Sequence, residues 1–133
     1  MTKNEKIEYV FAVDPANEKS GFVIIRVDDY EPVYMGKIEN NELADYIKTC
    51  PFKENAVPVI EMIGHYGTGM PAGRTVFDTC IWIGRFSEIF DNHFELASEG
   101  GYLMRATIKT RICGMPKAKD ANVIQALIDR FAP

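Results

Sequence analysis

Three β-type runs, Tyr9–Val13, Phe22–Val27 and Val33–Ile38, lie so close together that they leave this part of the chain little choice of topology. The segments between them, DPANEKSG and DDYEP, are rich in turn formers and too short for a crossover helix. An antiparallel meander is therefore expected. The first run ends on Asp14, and Pro15 follows at once. Two readings of that aspartate stand side by side. Asp before Pro commonly opens a turn, whereas a carboxylate at the lip of so apolar a strand is costly if buried without a partner or a metal.

Beyond the meander, NNELADYIKTCP reads as a helix, with Asn40 or Asn41 as its cap, Leu43, Ala44 and Ile47 on one face, and Pro51 as its stop. AVPVIEMI is a continuous apolar run suited to a strand buried on both faces. A glycine-rich loop, GHYGTGMPAGR, leads into a long helical pattern from Thr75 to Phe94. The run from Tyr102 to Cys113 then alternates as a strand does, with Tyr102, Met104, Ala106 and Ile108 on one side and Arg105, Thr107, Lys109 and Arg111 on the other. Lys119–Phe131 is a last amphipathic helix. The order β-β-β-α-β-α-β-α predicts an α/β fold: one mixed sheet of about five strands with helices on both faces.

At 133 residues and 47% hydrophobic content the chain suits one domain spanning 1–133. The polar start MTKNEKIE does not resemble a signal peptide, and no apolar run approaches the ~18 residues of a membrane span. Cys50, Cys80 and Cys113 lack the paired spacing of a zinc site and are expected to be reduced core thiols, so the expected location is cytoplasmic. Net charge is −4 overall, yet residues 100–133 hold six Lys/Arg against two Asp/Glu. Arg105, Lys109, Arg111, Lys117 and Lys119 form a basic strip that suits either a phosphate backbone or a solvated face.

In the predicted sheet the first and fourth runs can lie parallel and adjacent, which would bring Asp14 and Glu61 to one edge, where α/β sheets build their sites; the other reading of Glu61 is a strand-end residue turned to solvent. Converging carboxylates need a cation, and Mg²⁺ (or Mn²⁺) prefers oxygen ligands. A third acid would allow two ions to clamp a phosphodiester. Asp120, at the start of the last helix, is the candidate, with a helix N-cap as its other reading. The glycine loop carries no complete GxGxxG or P-loop signature. It reads as a DNA-facing loop, with a plain connector or a nucleotide-binding loop as alternatives; His65 and Arg74 are the candidate phosphate contacts, with a lone surface histidine as the other reading of His65.

The segment AVDPANEKSGFVII resembles the first hairpin of the RuvC-type Holliday junction resolvases of the ribonuclease H-like superfamily, with Asp14, Pro15, Gly21 and Phe22 matching and Ala16 in place of the usual glycine. VIEMIGHYGTGMPAGRTVFDTCIWIGRF is similar to the family's second segment, particularly in phage and prophage members. TIKTRICGMPKAKDANVIQALIDRF is similar to its third. The resemblance implies a Mg²⁺-dependent endonuclease acting on branched, four-way DNA as a homodimer. It makes Asp14 and Glu61 the metal ligands, puts Lys109, Arg111, Lys117 and Lys119 on phosphates, and makes the helix with Trp82 and Phe86 the natural dimer face, with core packing an equal reading of those two aromatics. The family's last catalytic acids lie on a further helix, so the expectation is a domain lacking that final helix. Either Asp120 substitutes for those acids, or the chain is a truncated, catalytically weak module that binds nucleic acid or protein.

Overall fold

The computed structural model describes residues 6–63, 73–104, 107, 108, 111, 114 and 119–131. The meander forms as expected: β1 (Tyr9–Asp14), β2 (Lys19–Arg26) and β3 (Pro32–Glu39) pair antiparallel in sequence order. The tight β2–β3 turn puts Tyr30 at φ 58°. The chain passes directly from β3 into α1 (Asn40–Lys48), which buries Leu43, Ala44 and Ile47. β4 (Ala56–Met62) then inserts parallel to β1. Helix α2 (Arg74–His93) and a single 3₁₀ turn (Ala97–Glu99) lead to the short strand β5 (Gly101–Met104), parallel to β4. The last helix is α3 (Asp120–Phe131). The sheet order is β3-β2-β1-β4-β5, the mixed five-stranded arrangement predicted from the sequence.

The pleat sorts side chains between two faces. Phe11, Val13, Phe22, Ile24 and Ile60 point to one face, where α1 and α2 close the core with Leu43, Ile47, Ile83, Phe86 and Phe90. Residues one step along each strand, including Ala12, Val23 and Val59, line a cavity of about 470 Å³ on the opposite side. No described helix is long and apolar enough to cross a membrane.

Gly100 fixes where β5 begins. A Cβ there would lie 1.8 Å from the carbonyl oxygen of Pro58, a backbone atom that cannot swing aside. Gly100→Ala is therefore expected to destabilise the fold by about 1–3 kcal/mol, read as a lower urea midpoint.

Three expectations need correcting. The strand predicted over Tyr102–Cys113 ends at Met104, and Thr107, Ile108 and Arg111 have helical backbone. The β4–β5 ladder reaches as far as Met62, the last residue of β4, which is paired with Met104. Neither Asn40 nor Asn41 caps α1: Asn40 is its first residue, and Glu39 in the cap position makes no side-chain bond. Cys50 is buried, and burial pushes its thiol pKa up, but Cys80 lies exposed on the outer side of α2, while Cys113 lies outside the described residues. Of the two readings of Trp82 and Phe86 the structure supports core packing: Phe86 is fully buried, and Trp82 is half-buried against the core, with the Arg85 guanidinium 4.5 Å from its ring centroid.

Candidate functional site

Strand pairing sets the geometry of the two acids. Val13 sits beside Ile60 in the parallel β1–β4 ladder, and the next residue on each strand is Asp14 and Glu61. Both turn away from the aromatic core, from strands about 5 Å apart. Asp14 is exposed and Glu61 half-buried. The two carboxylates line the same two cavities. One is the apolar hollow on the open sheet face; the other, of about 280 Å³, runs between the β1 lip and the start of α2, with Asn17, Thr75 and Thr79 in its wall.

Neighbouring residues keep this lip open. Gly21 pairs with Asp14 across the β1–β2 ladder, and a Cβ at Gly21 would rest 3.8 Å from that of Asp14. A longer side chain would reach over the aspartate; glycine leaves that space clear. Leu103 pairs with Glu61 on the other side, so the glutamate is flanked by apolar surface.

The turn after Asp14 is held from below. Ser20 Oγ accepts a hydrogen bond from Ala16 N–H at 3.0 Å and donates one to Asn40 Oδ1 at 2.5 Å. Asn40 Nδ2 donates to the Ala16 carbonyl at 2.9 Å, and Asn40 N–H donates to the Glu18 carbonyl at 2.9 Å. Sequence reasoning read Asn40 as a cap and assigned Ser20 no role beyond turn former. The available signal was a pair of polar residues placed where the pleat and the helix face both point inward.

The other expected site residues fall as follows. Asp120 is the first residue of α3, and its side chain lies outside the described residues. Arg111 and Lys119 are exposed. Arg74 is 93% exposed in its side chain, 3.8 Å from Asp78, a spacing and exposure worth little energetically. His65, Lys109 and Lys117 lie outside the described residues. Among the described residues, no group of three or more His, Cys, Asp or Glu forms a ready metal cluster. Asp14 and Glu61 alone offer a purely carboxylate donor set, whose chemistry fits Mg²⁺ or Mn²⁺ better than softer ions.

No protein-family model matches this sequence, and no curated protein sequence does. The fold has clear counterparts among solved structures. Thermus thermophilus RuvC in complex with Holliday junction substrate superposes with a TM-score of 0.70 at 9% identity, covering 95% of this chain and 81% of that one. A further Thermus thermophilus RuvC structure gives a TM-score of 0.61 at 12% identity, covering 91% and 78% respectively. The chain thus has the RuvC-like, ribonuclease H-like fold.

Proposed function

We propose that this protein is a divalent-metal-dependent endonuclease acting on branched DNA, with Asp14 and Glu61 as its metal ligands. One observation carries the reading: residues 47 positions apart in sequence end up on neighbouring parallel strands, at a lip shared by two cavities. The likeness to a RuvC structure solved with Holliday junction substrate supports four-way DNA as the substrate.

A bound Mg²⁺ (or Mn²⁺) would neutralise the carboxylate pair and polarise the scissile phosphodiester. In this reading Asp14 and Glu61 fix the place of that charge. Arg111 and Lys119, with Lys109 and Lys117 of the same basic segment, hold flanking phosphates without reading bases. His65 and Arg74 contact phosphate in the same reading. Asp120 is the remaining acid assigned to the centre. A synthetic four-way junction incubated with the protein tests the reading: cleavage with Mg²⁺ that stops on chelation supports it, and no cleavage over a range of Mg²⁺ and Mn²⁺ overturns it. The second reading is a catalytically weak module that binds junctions or a protein partner; among the described residues no group of three or more possible ligands forms, which favours it, and it predicts junction binding without cutting.

A junction presents two equivalent strands, which suits a two-fold homodimer. Phe77 and Ile81 are 60% and 59% exposed, and Cys80 and Gly84 complete an exposed stripe at helical spacing along α2. We assign the dimer contact to this stripe in place of Trp82 and Phe86. Ile81→Asp is expected to convert a dimer to a monomer in light scattering while leaving the thermal midpoint within about 2 °C, because the residue is exposed. An unchanged dimer would remove the assignment.

A further inference from the structure

We infer that Ser20 and Asn40 are positioning residues for Asp14, setting the backbone from which its carboxylate reaches a divalent cation. This inference rests on the reading of Asp14 as a metal ligand. The hydrogen bonds that hold the β1–β2 turn do not come from the turn alone. Its Ala16 N–H is held by Ser20 of β2, and its Ala16 and Glu18 carbonyls are held by Asn40 of α1, 24 and 22 positions away. Ser20 and Asn40 are joined to each other, so β2, α1 and the turn are bound as one body immediately beyond the acid.

Their burial makes this an unusual way to hold a hairpin. Ser20 is 0% and Asn40 2% exposed, on a face otherwise filled by Phe11, Phe22 and Leu43. Buried polar side chains are costly unless each finds its partners. Here they do, since every buried side-chain polar atom among the described residues has a hydrogen-bond partner. Asn40 uses both halves of its amide, accepting from Ser20 and donating to Ala16. Aspartate or leucine could not do both. The bonds fall on Ala16 and Glu18, and between Ala16 and Asp14 stands only Pro15, a rigid residue that transmits a shift to the acid. A metal ligand must be held within about 0.5 Å of its working place, and outer-shell partners that do this change metal affinity by about 10–100-fold.

Ser20→Ala removes the hydroxyl at the centre of the network. Asn40→Asp keeps the size and the acceptor for Ser20 but sets an oxygen against the Ala16 carbonyl, 2.9 Å from the present donor atom. Both variants and the unmutated protein would be titrated calorimetrically with Mn²⁺ alone, without DNA, with circular dichroism confirming the fold at the same temperature. The expected result is Mn²⁺ affinity about 10–100-fold weaker in folded Ser20→Ala and Asn40→Asp. Unmutated affinity in folded variants would overturn the positioning role while leaving Asp14 as a ligand. Unfolding of both variants would also overturn it, because the network would then be part of the core alone. Failure of the unmutated protein to bind Mn²⁺ would instead remove the parent reading, and this inference with it.

Discussion

Asp14→Asn is expected to slow cleavage of a four-way junction by about a thousandfold or more under single-turnover conditions in Mg²⁺. The substitution preserves shape and leaves one carbonyl oxygen, but it replaces a charged ligand by a neutral one and breaks the Asp14–Glu61 carboxylate pair. The protein itself should barely notice. Asp14 is exposed at the end of β1, and substitutions at such positions usually change stability by no more than about 0.5 kcal/mol. Junction affinity measured in Ca²⁺ or chelator should hold or rise slightly, since one negative charge is gone from a surface that meets phosphates. Glu61→Gln should behave in the same direction. Cleavage by Asp14→Asn at the unmutated rate would place the chemistry elsewhere.

The largest expected effect on stability lies one strand face away. Phe11 is fully buried, and its ring centroid lies 5.3 Å from that of Phe90, 5.7 Å from Phe22, 5.9 Å from Phe94 and 6.0 Å from Tyr46. It is the point where β2, α1 and the end of α2 meet on the central strand. Phe11→Ala removes both the buried area and the aromatic contacts, and the close packing around it cannot collapse into the space. The expected loss is about 3–5 kcal/mol, which for a chain of 133 residues lowers the thermal midpoint by roughly 10–20 °C. Calorimetry measures this directly. A fall of only a few degrees would mean that the core is looser than its packing implies.

These two residues also show what the chain discloses before it folds. Alternation in YVFAVD assigns Phe11 and Val13 to one face and Asp14 to the other, and the short turns force the meander that leaves the far edge of β1 for β4 to pair with. The convergence of Asp14 with Glu61 was therefore legible from element order and pleat. The alternating run after Tyr102 was misleading for a non-local reason. A strand persists only while it has a neighbour, and β4 runs out at Met62, a fact set by pairing and not by residues 105–113 themselves. Helical periodicity likewise marks α2 as amphipathic without saying which side faces the sheet. Trp82 and Phe86 turn inward, while Cys80 turns outward with Phe77 and Ile81. The Ser20–Asn40 network was hidden because Asn at a helix start has an ordinary explanation in capping, and only the packing of α1 under the β1–β2 turn replaces it.

A crystal soaked in Mn²⁺ and measured at a wavelength where manganese scatters anomalously tests the central claim most directly. The account predicts an anomalous peak bridged by carboxylate oxygens of both Asp14 and Glu61, at about 2.1–2.2 Å from each, near the distance for Mg²⁺. A saturating soak with no peak between those residues, or a peak held by one of them while the other turns away, would contradict it.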